Sequence, residues 1–86
     1  MFGTHTHVAT ADEQILPKGS GYITDVGMTG PTNGVLGTDA EAVIEKFRTH
    51  MPVRFRVADG PVVGHGAVFD LDESTGLVRS VKRVRF

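Results

Sequence analysis

The chain has 86 residues, of which 40% are hydrophobic, 22% are charged and 11 are glycine, and its formal net charge is −1. This length holds one small domain, because a core of this size buries only about 60–70% of the surface exposed by the unfolded chain. The ordinary apolar content argues against wholesale disorder, and the lack of cysteine excludes a disulfide framework, a thiolate zinc site and a cysteine nucleophile.

Charge is unevenly placed. Residues 1–43 carry five acids and one base, and residues 44–86 carry five acids and eight bases, giving −4 and +3. No apolar run approaches the 18 or so residues of a membrane-spanning helix, and the first residues lack the basic and apolar regions of a signal peptide. The expectation is a cytoplasmic chain with no membrane partner.

Residues 2–8, FGTHTHV, alternate and are β-branched, which predicts a short strand with His5 and His7 on one side and Thr4 and Thr6 on the other. A polar loop leads to a second predicted strand at residues 22–26, YITDV, with Asp25 at its end. Residues 27–37, with four glycines and a proline, form no regular element. Together, residues 1–37 make the first of three predicted segments within one partial domain covering 1–86.

The second segment, 38–51, is a helix. Thr38 and Glu41 have capping-box spacing, and Ala40, Val43, Ile44, Phe47 and Met51 share one helical stripe that ends before Pro52. The third segment, 52–86, is a three-stranded antiparallel meander. Val53, Phe55 and Val57 alternate with Arg54 and Arg56, a turn at Asp59-Gly60 leads into residues 62–71, and a second turn at residues 73–76 leads into 77–85. The chain is therefore expected to be mostly β with one helix.

His5 and His7 are the first candidates for chemistry, because i and i+2 on a strand face the same way and two imidazoles there can approach a metal together. Two partly exposed histidines with no such role are the plainer reading of the spacing. His50 falls in the last helical turn, where the helix dipole accounts for it, and His65 lies between two glycines, as at a bulge. Asp12 and Glu13 read as a solvated acidic loop, with Asp12 also available as a partner behind the histidines. Asp25 stands beside a glycine loop as active-site acids often do and is a second candidate partner behind the histidines, although an Asx turn explains it without function. The P-loop, nucleophile-elbow and dinucleotide-binding strings are all missing.

Gly3-Thr4-His5-Thr6-His7 resembles the terminal histidine motif of the calcineurin-like metallophosphoesterases. With Ile15-Leu16-Pro17-Lys18-Gly19, Ile23-Thr24-Asp25-Val26-Gly27-Met28-Thr29-Gly30-Pro31 and Pro52-Val53-Arg54-Phe55, the chain is similar to the YmdB subgroup in order and spacing. The resemblance covers nearly the whole chain but only the last third of such enzymes. It implies an α/β fold, the C-terminal part of a β-sandwich flanked by helices. The activity it implies is hydrolysis of phosphodiesters, 2′,3′-cyclic nucleotides above all, with two divalent metals, iron or manganese, and with His5 and His7 as metal ligands. In that family the leading Asp, the bridging Glu, the metal-binding Asn, the Asn-His pair and a further His precede the motif, so this chain alone is expected to be inactive. An upstream fragment or a homo-oligomer is its expected partner.

The alternative is a small non-catalytic module that binds RNA or a partner protein through the bases of the meander, Arg54, Arg56, Arg79, Lys82, Arg83 and Arg85. Nucleic-acid sheets usually interleave exposed aromatics, and the phenylalanines here alternate toward the expected core. A solvated basic edge that resists aggregation is the simpler account of these residues.

Overall fold

The computed structural model describes all 86 residues, Met1–Phe86. Its elements in chain order are β1 (Gln14–Ile15), β2 (Gly21–Tyr22), β3 (Thr29–Pro31), α1 (Ala40–Thr49), β4 (Val62–Leu71) and β5 (Val78–Arg85). They fall into two compact units, one of residues 1–28 with 64–86 and one of residues 29–63. The chain is mostly β, with one helix and antiparallel strand pairs, as its sequence predicts.

The first unit is organised by the hairpin of β4 and β5. These strands pair antiparallel from His65 opposite Arg85 to Asp70 opposite Ser80, and the register slips between Asp70 and Leu71. The turn forms where the sequence puts it, because Asp72 supplies the acceptor. Its Oδ1 takes the Ser74 N–H at 2.9 Å and the Ser74 hydroxyl at 2.7 Å, and Gly76 takes a positive φ of 72°. These bonds hold the Asp72 carboxyl below its usual range.

Against this hairpin lie β1 and β2, an antiparallel pair with Gln14 opposite Tyr22 and Ile15 opposite Gly21. Gly21 is required there, since a Cβ would sit 2.6 Å from Cδ1 of Phe69. Phe2 makes an isolated parallel bridge to Ile23, and its ring lies 6.1 Å from that of Phe69. Ile23 is the apolar centre of this unit at 1% exposure.

The histidine segment is not the strand that its alternation predicts. Residues 5–8 bend continuously, and His7 adopts a left-handed φ of 66°. The backbone N–H groups of His5 and Thr6 are bound by a carboxylate instead of a neighbouring strand. Similarly, only the start of the predicted strand at 22–26 enters a ladder.

The second unit holds the helix, with two departures from expectation. Asp39, not Thr38, is the N-cap and makes no side-chain capping bond, because its carboxylate pairs with the Arg56 guanidinium at 3.1 Å. Thr38 exchanges backbone bonds with Val35 at 2.8 and 2.9 Å. The helix ends at His50, a C-cap with φ 56° whose N–H donates to the Lys46 carbonyl. Only Ala42 and Val43 are buried, while Ile44 and Phe47 on the predicted stripe are 61% and 74% exposed.

Residues 53–57 are also not a strand, and the third strand of the sheet that holds β4 and β5 is β3, in the order β3-β4-β5. The backbone of residues 53–57 is engaged by the approach to the helix. The Asp39 N–H donates to the Arg56 carbonyl at 2.8 Å, and Val57 makes an isolated bridge with Thr38. The Lys46 ammonium lies 5.1 Å from the centre of the Phe55 ring, a cation–π distance.

Candidate functional site

The site is built around Asp25, a carboxylate only 2% exposed. Its Oδ2 accepts the His5 N–H at 2.9 Å, the Thr6 N–H at 2.6 Å and the Thr6 hydroxyl at 2.8 Å. Its Oδ1 accepts the Gly27 N–H at 2.8 Å, which is the Asx turn that the sequence offers as its simpler explanation. Four donors on one carboxylate favour its charged form, and they hold the Asp25 carboxyl far below its ordinary range, the Gly27 and Thr6 bonds most of all. The negative charge therefore lies behind the His-Thr-His bend and fixes its backbone.

Asp12 does a similar service one layer further along the chain. It accepts the Thr10 hydroxyl at 2.6 Å and the Thr24 N–H at 3.1 Å, and it also accepts the Thr24 hydroxyl. These bonds lower its pKa to about 2, Thr10 and Thr24 being the chief causes. The backbone closes the same junction, with the Thr10 N–H on the Asp25 carbonyl at 2.9 Å and the Asp25 N–H on the Thr10 hydroxyl at 3.0 Å. Two aspartates thus clamp residues 5–12 to residues 24–27, leaving His5 and His7 exposed.

This geometry differs from the expected one in kind. A strand would present both imidazoles by side-chain alternation, whereas here the bend presents them and Asp25 sets the bend. Asp12 and Asp25, read from sequence as partners behind the histidines, bind backbone and hydroxyl groups. Thr6, Thr10, Thr24 and Gly27 complete the clamp, and the sequence reading assigns them no part. Their one visible signal is the Asp-x-Gly spacing of an Asx turn. Gly27 has φ 88°, and a Cβ there would lie 2.9 Å from the Cβ of His65 and 3.1 Å from the Ala9 nitrogen.

No three of the chain's His, Asp and Glu side chains come together in a group that could hold a metal ion. What the bend offers is a pair of imidazoles, a donor type that suits divalent first-row metals. His65 lies within regular β4 pairing, not at a bulge, and its Nδ1 is 3.1 Å from the Met28 carbonyl. His50 caps the helix.

The six bases of the alternative reading do not form one face. Arg54 and Arg56 lie outside any strand in the second unit. On β5 the side chains alternate, so Lys82 faces away from Arg83 and Arg85. Three of the six are in ion pairs, Arg56 with Asp39, Arg79 with Asp70 at 3.1 Å, and Arg83 with Glu13 at 2.8 Å. No helix is long and apolar enough to cross a membrane.

Comparison with known proteins places this arrangement in context. A family model described as YmdB-like protein matches residues 1–84. The 2′,3′-cyclic-nucleotide 2′-phosphodiesterase of Bacillus subtilis (strain 168) is 55% identical over 84 residues, which is 98% of this chain and 32% of that protein. Among solved structures, a phosphatase from Mycoplasma pneumoniae superposes with a TM-score of 0.93 at 42% identity, over 99% of this chain and 31% of that one. A hypothetical protein from Thermus thermophilus gives 0.91 at 36% identity, over 99% and 33%. The chain therefore spans about a third of the length of these relatives and shares their fold over that part.

Proposed function

The chain belongs to the YmdB-like family, and from that premise we propose that it is the C-terminal part of a metal-dependent phosphodiesterase acting on 2′,3′-cyclic nucleotides. His5 and His7 are its metal ligands, iron or manganese is the metal, and the remaining donors come from outside these 86 residues. The observation that carries this reading is the Asp25 carboxylate holding the His-Thr-His bend by its backbone, with His5 and His7 both exposed on that bend.

The donor set fits such a group as a partial set. Neutral imidazole nitrogens suit Mn²⁺ and Fe²⁺, and a chain with no cysteine offers no competing thiolate. A metal pair, when bound, supplies electrophilic stabilisation of a phosphoryl group and a water of lowered pKa. This chain's residues do the orienting. Asp25 fixes the backbone of residues 5–6, Asp12 ties the following loop to Thr24, and Gly27 permits the tight return past Ala9. The fixed backbone narrows the positions open to each ring before any metal arrives.

Two measurements test the reading. Mn²⁺ added to the pure chain is expected to broaden the ring resonances of His5 and His7 before those of His50 and His65. Turnover of 2′,3′-cyclic AMP with Mn²⁺ is expected to stay at the level of a His5→Ala/His7→Ala variant. Uniform broadening over all four histidines would defeat the ligand assignment. Turnover that depends on both His5 and His7 would defeat the claim that the other donors lie elsewhere.

A further inference from the structure

Within the first unit, the β4–β5 face beside the bend changes character along its length. Because residues directly opposite in an antiparallel pair share a face, Phe69 with Val81, Ala67 with Arg83 and His65 with Arg85 form three successive pairs on one side. The Phe69 end is covered by Gly21 and the Phe2 ring. The His65 end opens into a recess of about 470 Å³ lined by His7, His65, Arg83 and Arg85, with Val8 and Val84 among its apolar walls. That volume lies within the ordinary range for small-ligand sites, roughly 300–1,000 Å³.

The lining carries two guanidiniums, two imidazoles and no carboxylate. Arg83 is steadied from the side, its Nε 2.8 Å from a Glu13 carboxylate oxygen, whereas Arg85 belongs to none of the chain's three ion pairs. His65 is oriented too. The Met28 carbonyl, 3.1 Å from Nδ1, can only accept, so Nδ1 carries a proton and Nε2 is the nitrogen left for other partners, donating to an anion in the imidazolium form of the ring. A concave wall with a guanidinium outside any ion pair, a braced one and an oriented imidazole suits a tetrahedral oxyanion, since guanidinium binds phosphoryl oxygens in a fixed fork.

We infer that this recess is a phosphoryl-binding site, with Arg85 as the anion anchor and Arg83 and His65 as flanking groups. The choice of phosphoryl over other anions rests on the proposed phosphodiesterase reading, because His7 borders the recess and is also a proposed metal ligand. The group recognised belongs either to a nucleotide or to free phosphate, and the two sources differ in whether the apolar walls add affinity.

The test uses the chain in excess EDTA, so that metal binding plays no part. Inorganic phosphate and 2′,3′-cyclic AMP are titrated separately at fixed ionic strength, and the His65 ring and Arg85 guanidinium resonances are followed by NMR. Saturable shifts at both residues are expected, weakened at least fivefold by Arg85→Gln and unchanged by Arg79→Gln, whose side chain is paired with Asp70. Tighter binding of the cyclic nucleotide assigns the site to substrate, and equal binding assigns it to free phosphate. Shifts that do not saturate, or that Arg79→Gln reduces as much as Arg85→Gln, overturn the inference. The EDTA titration and the Mn²⁺ broadening at His5 and His7 read separate claims, so either can fail without the other.

Discussion

Asp25→Asn is expected to weaken Mn²⁺ binding at the His-Thr-His bend by about 10–100-fold, the usual effect of losing a group that orients metal ligands. The substitution removes the charge and turns one acceptor oxygen into a donor. At Oδ1 that donor would face the Gly27 N–H, and at Oδ2 it would face the N–H groups of His5 and Thr6. Either amide orientation leaves donors opposed to donors in a nearly water-free place. The β4–β5 hairpin depends on Asp72 and its own ladder, so amide exchange across residues 65–71 and 78–85 should stay slow. A variant that binds Mn²⁺ as tightly as the parent would show that the bend does not depend on Asp25 for its shape.

The same clamp has a pH dependence whose sign follows from the lowered carboxyls. A carboxyl with a folded pKa below its unfolded value stabilises the fold fully above the unfolded value, near 4, and that stabilisation is lost as pH falls through the folded pKa. Asp12, at about 2, releases its part between about pH 4 and 2, and Asp25, lowered further, releases its part at still lower pH. On acid titration the Thr24 amide resonance, which reports Asp12, is expected to move before that of Thr6, which reports Asp25. The reverse order would assign the tighter clamp to Asp12.

How much of this is legible in the sequence depends on the range over which each choice is made. The β4–β5 hairpin is decided locally, by alternation on both strands and a four-residue turn held by Asp72 and Gly76. It also fixes the pairing of His65 with Arg85, so the cationic end of that face is implicit in the turn. The Asx turn from Asp25 to Gly27 is equally local. The histidine bend is not, because its backbone donors go to a carboxylate 19 and 20 residues away, and no periodicity encodes that choice. Nor does any local signal show that Arg56 takes the Asp39 carboxylate. That ion pair leaves the N-cap side chain without a capping bond, while the Arg56 carbonyl receives the Asp39 N–H.

The helix carries the other large expected effect. Its stripe is apolar, as the spacing predicts, but of its residues only Val43 is core, so α1 is held by Ala42 and Val43 while Ile44, Phe47 and Met51 stand out in solvent. Truncating a buried phenylalanine commonly costs about 3–5 kcal/mol, whereas an exposed one is usually worth less than about 0.5 kcal/mol. Phe47→Glu is therefore expected to leave the urea midpoint nearly unchanged. Exposed apolar side chains clustered on one helix favour association, and the chain spans about a third of the length of its relatives. The parent chain is expected to self-associate with rising concentration in sedimentation experiments, and Phe47→Glu, by placing a charge at the middle of the stripe, to hold it monomeric. A parent chain that remains monomeric at high concentration would remove association as the role of this stripe, and a large loss of stability in Phe47→Glu would return Phe47 to the core where its spacing first puts it.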